Sequence, residues 1–428
     1  MTFQTFEEAL QYIESLQRFK IMPGLERIEK VLSLLGNPHN QLKYIHITGT
    51  NGKGSVSAFL TFLLKEAGYS VGTFNSPYLV SFRERILYNN KEIPKKTLVD
   101  LANKICQTVD EYNKTSKDSL SLSFFEFTTA LMFLYFAQKK PDYVVLEVGL
   151  GGRFDATNVV NPVASIVTTI SKDHTHLLGN TFLDIAKEKA EIIKPGSFCV
   201  TGLIEDPSAR DYIQKVCKER NVKIISPDNF RYNLIDSTLK GQTFDFKYNK
   251  EYKKLKLSLL GRYQIHNASI ALATFLELFP DTPEKTIRKA LEKTSWRGRF
   301  QVFDRNPLTI LDGAHNPDAV KKLAESLETL GIKKPVCLVG AAPNKDISGM
   351  AKEFLKISDT FVFTRAKSRG MDKADVKASF LELNPNIAFD LSELPDSFDL
   401  ARTLAKNKNK TLLVAGSLYL IGEILTLS

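Results

Sequence analysis

The stretch Tyr44-Ile-His-Ile-Thr-Gly-Thr-Asn-Gly-Lys-Gly-Ser55 decides how the rest of the chain reads. Its first five residues, β-branched and aromatic, predict a short buried strand. The glycines that follow predict a turn, and the apolar spacing beyond Ser55 a helix near 55–67. In such a strand–turn–helix unit, glycines let backbone N–H groups approach phosphate oxygens and the helix N-terminus adds a positive end. Lys53 supplies a point charge for the outer phosphates. The stretch departs from GxxxxGK[ST]: Gly49 and Gly52 are separated by two residues, and Gly54 stands between Lys53 and Ser55. Ser55 is therefore out of the place from which a P-loop hydroxyl holds magnesium.

Outward from this unit, short apolar runs at Tyr44–Thr48, Tyr143–Val148, Ala164–Thr169 and Phe198–Thr201 read as buried strands, with helices near 97–112, 126–138 and 182–193 between them. That alternation predicts an α/β fold with a mainly parallel sheet. Residues 230–260 alternate polar with apolar (Phe244, Phe246, Tyr248) and predict an antiparallel region, followed by helices near 264–278 and 284–293. The α/β grammar then restarts with strands at Thr309–Leu311, Pro335–Gly340, Thr360–Thr364 and Leu412–Val414. We expect an N-terminal P-loop ATPase domain, 1–296, and a smaller C-terminal Rossmann-like α/β domain, 297–428.

Composition bounds the classes. The 428 residues are 43% hydrophobic and 25% charged, as in globular proteins rather than fibrous or low-complexity chains. No run reaches the roughly 18 apolar residues of a membrane span. The start carries Glu7 and Glu8 where a signal peptide is basic and then apolar, so a cytoplasmic protein is expected. Four widely spaced cysteines form neither a CxxC motif nor a disulfide framework. The excess of 58 Lys+Arg over 48 Asp+Glu leaves +10, which suits a polyanionic partner or simply a lysine-rich surface. Without a block of five basic residues, nucleic acid is the weaker option and a polycarboxylated or phosphorylated small molecule the stronger.

Two further regions carry chemistry. In Val144-Val-Leu-Glu-Val-Gly-Leu-Gly-Gly-Arg-Phe-Asp155, Glu147 sits among apolar neighbours at the end of a predicted strand, where a carboxylate is costly unless it is paired or binds a metal. The Gly149/Gly151/Gly152 cluster is followed by Arg-Phe-Asp rather than a helix start, against a dinucleotide fingerprint. Four of the six histidines, His174, His176, His266 and His315, fall in polar, loop-like segments. His174 and Asp312/His315 follow predicted strands, where open α/β sheets place their sites.

Together these motifs resemble the folylpolyglutamate synthases, some of which are also dihydrofolate synthases, of the Mur ligase superfamily. The resemblance runs through Gly49–Ser55, Ser76-Pro77, Phe125-Glu126, Glu147–Gly152, Asp173-His-Thr, Lys187–Ala190, His266-Asn267, Trp296-Arg-Gly-Arg299 and Asp312–Pro317. It implies that Thr50, Asn51, Gly52 and Lys53 hold ATP phosphates, with Asn267, Arg299 and Asp312 completing the nucleotide site. It assigns Mg²⁺ to Ser76, Glu147 and His174, and makes Lys189 a carbamylated lysine. The pterin site draws on Ile21, Met22 and Pro23, on Phe124 and Phe125, and on Phe154, Asp155 and Ala156. His315 and Ser417 are assigned to the incoming glutamate. The family commonly has glycine after the lysine-alanine pair; here Glu191 follows Ala190.

The reaction implied is ATP-dependent joining of L-glutamate to a folate carboxylate through an acyl phosphate, by an enzyme expected to be a monomer with no nucleic-acid or membrane partner. Three rivals remain. A peptidoglycan ligase of the same superfamily needs a nucleotide-sugar domain for which the stretch ahead of Gly49 is too short. A nucleic-acid-dependent P-loop ATPase needs a standard Walker A and basic stripes. A non-enzymatic binding module would show no ATP turnover dependent on folate and glutamate. For Lys189, the residues alone also allow an ordinary exposed lysine on a charged helix.

Overall fold

Strand β1, Tyr44–Thr48, is buried along its whole length because it lies inside a sheet covered on both faces. The computed structural model describes residues 2–16 and 24–427. Contacts along the chain divide it into two units. One comprises Met1–Ile170, Asn180–Asn229 and Ile270–Thr282; the other comprises Ser171–Gly179, Phe230–Ser269 and Pro283–Ser428. The units thus interleave in sequence, where a single cut near 296 was expected.

The first unit is built on β1 with β2 (Val71–Phe74), β3 (Ile86–Tyr88), β4 (Lys91–Glu92), β5 (Tyr143–Glu147), β6 (Pro162–Val167), β7 (Phe198–Thr201) and β8 (Lys223–Ile225). These form an eight-stranded sheet in the order β4-β3-β2-β5-β1-β6-β7-β8. Pairings β2–β5, β5–β1, β1–β6, β6–β7 and β7–β8 are parallel; β2–β3 and β3–β4 are antiparallel. The helix Lys53–Glu66 buries Val56, Phe59, Leu60, Leu63 and Leu64 at i, i+3, i+4, i+7, i+8, and the small Ser55, Ser57, Ala58 and Thr61 between them are buried as well, so it is covered on more than one side. The helix Phe124–Lys139 is apolar all round and is buried accordingly, its start fixed by a Ser123–Glu126 capping box. Each large side chain removed from water in this core, Phe59 or Phe133 for instance, contributes about 2–3 kcal/mol.

The second unit holds an antiparallel sheet, β9 (Arg231–Thr238), β10 (Gly241–Lys247) and β11 (Glu251–Leu257), whose inner face is Phe244, Phe246, Tyr252, Leu255 and Leu257. It also holds β12 (Gln301–Arg305), β13 (Leu308–Leu311), β14 (Val336–Val339), β15 (Thr360–Phe363), β16 (Ala388–Leu391) and β17 (Leu412–Ala415). These six are ordered β12-β13-β17-β14-β15-β16, parallel except for β12. Phe361 and Phe380, 5.0 Å apart, centre its core with Ile310, Phe354 and Leu413.

The strands expected at 44–48, 143–148, 164–169, 198–201, 309–311, 335–340, 360–364 and 412–414 are β1, β5, β6, β7, β13, β14, β15 and β17, each within two residues of the expected bounds. The helix expected over 182–193 stops at Ala190, since Lys194 precedes Pro195 and a residue before proline avoids helical geometry. Strand β2 gave no sequence signal. Gly72 weakens its pattern, yet a Cβ at Gly72 would lie 3.0 Å from the Phe136 ring, so the glycine serves packing rather than a turn. Among the described residues no helix is long and apolar enough to cross a membrane.

Candidate active site

At the carboxyl end of β1 the chain turns through Gly49 and Gly52, at φ +146° and +92°, into the helix that opens at Lys53. A Cβ at Gly49 would fall 1.9 Å from Thr168 Oγ1, so glycine is required there by contact as well as by φ. The turn is tied to the end of β6. Thr50 N–H donates to Thr169 O at 2.9 Å, Asn51 N–H to Thr169 Oγ1 at 3.0 Å, and Thr168 Oγ1 to Asn51 O at 2.6 Å. Lys53 Nζ folds over the turn onto Gly49 O and Thr50 O, at 3.0 and 3.3 Å. Ser55 is buried in the helix. The result is a braced backbone cradle with a cation at its mouth, the shape that binds phosphate.

Beneath it, His46 is fully buried on β1, and burial pushes its imidazole down to about 3. Its Nε2 lies 2.9 Å from Thr157 Oγ1, which donates to Asp155 Oδ1 at 2.5 Å. The hydroxyl hydrogen being spent on the carboxylate, His46 is assigned as the neutral Nε2–H donor. Asp155 also accepts from the N–H groups of Gly149, Leu150 and Thr157, each at 3.0 Å. Expected at the substrate, its carboxylate instead faces inward and fixes the shape of the glycine loop, while burial pushes its pKa up. Ala156 likewise packs in the core. Phe154, by contrast, is 51% exposed, presenting its ring outward. Phe124 and Phe125 are half-buried; Arg85 stands over Phe124 at 5.1 Å, and a Cβ at Gly149 would strike Phe125 at 2.5 Å. Ile21, Met22 and Pro23 lie outside the described residues.

Glu147 ends β5 beside β1, 3% exposed, its Oε2 accepting the Ser76 N–H at 3.0 Å. A buried carboxylate with a serine hydroxyl on the adjoining residue suits a hard cation, which prefers oxygen donors and keeps waters and phosphate oxygens for the rest of its shell. Among the described residues no three His, Cys, Asp or Glu side chains gather into a metal cluster, so this pair would need such outside ligands.

Lys189 overturns the reading of an exposed lysine. It is 3% exposed, in the last turn of the helix Phe182–Ala190, on the face that also buries Ile185, Ala186 and Ala190. Its four-residue spacing from Ile185 was the available signal. The glycine loop lies against this helix: Arg153 N–H donates to Glu188 O at 2.9 Å, and a Cβ at Gly152 would meet that oxygen at 2.6 Å.

In the second unit, Asp173, His174, His315 and Lys345 come together. Lys345 Nζ reaches Asp173 at 2.7 and 3.0 Å and His174 Nε2 at 3.2 Å. His315 Nε2 lies 3.7 Å from Asp173, and its Nδ1 is 2.8 Å from Gly313 O. Burial raises the Asp173 pKa, but Lys345, then His315 and His174, outweigh it and hold the carboxyl well below its usual range. Burial also pushes His315 down to about 4, so its Nδ1 donates to Gly313 and its Nε2 is left as an acceptor. Lys345 was missed in the sequence, since nothing in Pro-Asn-Lys-Asp marks it as buried. Asp312 takes Tyr263 O–H at 2.7 Å and the Phe300 and Ala314 N–H groups at 2.8 Å each, and burial pushes its pKa up. Arg299 stands beside Gly313, where a Cβ would lie 2.2 Å from its Nη1. Ser417 caps the helix Leu418–Thr426, accepting from Tyr419 N–H at 3.1 Å. Asn267 is buried in the helix Arg262–Leu278 with its Nδ2 on Gln264 Oε1 at 3.0 Å. His266 is in the same helix, as the helix expected over 264–278 requires, although its polar neighbours read as loop-like.

Residues 47–275 match the Mur ligase middle domain, and 298–418 the Mur ligase glutamate ligase domain. The chain is 34% identical to the dihydrofolate synthase/folylpolyglutamate synthase of Bacillus subtilis, over 99% of each chain. It superposes on Mycobacterium tuberculosis folylpolyglutamate synthase complexed with ADP and AMPPCP with a TM-score of 0.92 and 28% identity, covering 99% of this chain and 98% of that one. Escherichia coli FolC in complex with DHPP and ADP gives 0.87 at 28% identity, covering 99% and 97%.

Proposed function

Since the chain belongs to the Mur ligase family, among the folylpolyglutamate and dihydrofolate synthases, we propose that each of its parts performs one share of an ATP-dependent, ADP-forming amide ligation. The terminal carboxylate of a folate attacks the γ-phosphate of ATP, giving an acyl phosphate and ADP. The amine of L-glutamate then attacks the acyl carbon, phosphate leaves, and the amine gives up its proton. We read 1–296 as the nucleotide and folate part and 297–428 as the ligase part. Substrates are reduced folate and, on the strength of Gly151-Gly-Arg-Phe-Asp-Ala156, dihydropteroate. The setting is the cytoplasm, where ATP and free glutamate meet, and the working form a monomer.

The observation that carries this reading is the cradle at the end of β1 with the buried Glu147 ending the neighbouring β5. Thr50, Asn51 and Gly52 offer backbone donors to the phosphates, and Lys53 leaves its carbonyls to offset charge on the transferring group. Glu147 and Ser76, with His174, would hold magnesium, which supplies Lewis-acid neutralisation of phosphate charge. Asn267, Arg299 and Asp312 are assigned to the nucleoside, Asp312 acting through the loop it shapes. Phe154 offers the pterin a stacking face, with Phe124 and Phe125 as apolar wall. His315 Nε2, fixed as an acceptor, suits the glutamate ammonium, and Ser417 at a helix N-terminus suits a glutamate carboxylate.

Lys189 is the remaining assignment. A neutral lysine amine can add CO₂, releasing a proton and becoming an anionic carbamate, and Lys189 is buried in the last turn of its helix. Lys189→Ala is then nearly inactive and partly recovered by a small carboxylic acid. Near-normal activity without additive removes the carbamate from the scheme.

The test of the function is incubation with ATP, L-glutamate and either dihydropteroate or tetrahydrofolate, followed by mass spectrometry. Products heavier by glutamyl units, formed with ADP, are expected; ATP turnover with no glutamylated product defeats the reading. Glu147→Gln, which removes charge without volume, should lower turnover at least about a hundredfold at saturating Mg²⁺.

A further inference from the structure

Three charged side chains outside the assigned roles meet where the glycine loop rests on the Lys189 helix. Glu191, the C-cap of that helix, places Oε2 2.8 Å from Arg220 Nη2 and Oε1 3.9 Å from Arg153 Nη2. Arg153 Nη1 is also 3.6 Å from Glu188 Oε1. Arg220, just past the helix Pro207–Glu219, donates through Nη1 to Ile193 O at 2.5 Å and to Ala190 O at 3.4 Å. It thereby adds a donor to the Ala190 carbonyl at the helix end and to the Ile193 carbonyl just beyond it, where a cation is favoured.

These groups are too wet to be there for stability. Glu191, Arg220 and Arg153 side chains are 25%, 27% and 40% exposed, and pairs so placed contribute about 0–1 kcal/mol each. What they fix is orientation. The loop touches the helix through its backbone at Gly152 and Arg153, while Thr48 Oγ1 donates to Gly151 O at 2.6 Å and Asn158 Nδ2 to Arg153 O at 3.1 Å from the loop's other sides. The ion pairs add points off that line, at Glu188 and Glu191. The next residue along the loop is Phe154; between the two glutamates lie Lys189 and Ala190.

We propose that Glu191, bridging Arg153 and Arg220, is a positioning residue that locks the Phe154 loop to the Lys189 helix, so that folate placement and turnover are set together. This rests on the roles given above to Phe154 and Lys189. The cradle has further bracing of its own from Thr168 and Thr169, so losing the lock is expected to fall on folate rather than on ATP.

The test is steady-state kinetics of Glu191→Ala, Arg220→Met and the double variant, at a temperature where each is shown folded by circular dichroism. Each single variant should lose about fivefold or more in kcat/KM for folate, in both kcat and KM, with KM for ATP unchanged; the double variant should be no worse than the poorer single. Glu191→Asp, which keeps the charge on a shorter stem, should recover part of the loss. Additive losses in the double variant, or KM for ATP rising in step with KM for folate, would overturn the proposal. Parallel assays of Phe154→Ala and Lys189→Ala separate the two levels. If both are near wild type, the roles on which the lock rests fall and it falls with them; if both are crippled while the losses add, only the lock does.

Discussion

Asp155 in the first unit is surrounded by donors without net charge: three backbone N–H groups and the Thr157 hydroxyl. Asp173 in the second is surrounded by Lys345 at 2.7 Å, two histidines and the Asn316 amide at 3.2 Å. Both are buried carboxylates in segments that follow parallel strands. Dipoles satisfy the hydrogen bonds of the first but leave the cost of burial in excess, so its pKa rises; cations overcome that cost at the second, so its pKa falls. Asp312 repeats the first pattern with Tyr263, Phe300 and Ala314. The molecule thus uses aspartate in two ways: to hold a loop's shape, and to hold a negative charge against Lys345.

The largest effect that sharpens this contrast is expected from Asp173→Asn. It leaves Lys345, 9% exposed, without its carboxylate, and removing one partner of such a pair costs about 3 kcal/mol. Urea unfolding should show that loss at neutral pH, with kcat/KM for glutamate down at least about a hundredfold. A loss under about 1 kcal/mol would make the cluster a surface-like pair. Asp155→Asn is expected to cost less, about 2 kcal/mol, because its amide turns a donor towards groups that donate. Its kinetic signature should be a raised KM for folate with KM for ATP little changed, since the loop bears Phe154 while the cradle is braced from β6.

The smallest effect is the most discriminating, because it tests a sign. An unfolded aspartate titrates near pH 3.9. The folded value of Asp173 lies below that, so its stabilisation is present above about pH 4 and is lost as pH falls further. The folded value of Asp155 lies above it, so its contribution is complete below about pH 4 and declines as pH rises through the raised value. Plotted from pH 3 to 7, wild-type stability minus that of the asparagine variant should climb for Asp173 and descend for Asp155. Parallel curves would mean that the two surroundings do not differ as described.

Much of this architecture was legible because it is periodic. Tyr44–Thr48 and Phe198–Thr201 are strands over the residues that the apolar runs marked, and the helix Lys53–Glu66 follows its apolar stripe. The cradle was legible because glycine at Gly49 and Gly52 has a local cause. The roles of Asp155 and Asp312 were not, because a carboxylate that binds backbone N–H groups needs only a loop of the right shape, which leaves no spacing rule. Lys345 stands 172 residues from Asp173, and no local pattern announces a pair so distant. Glu191 read as a mere departure from its family, since the arginines that receive it lie in two other segments.

His46 has one more consequence. Its Nε2–H is committed to Thr157, and its Nδ1 has no hydrogen-bond partner among the described residues. A ring held at about 3 does not change charge between pH 5 and 8, so this imidazole behaves as an amide does: a rigid, neutral donor of fixed direction. An inflection in activity near neutrality is therefore expected to come from groups other than this histidine.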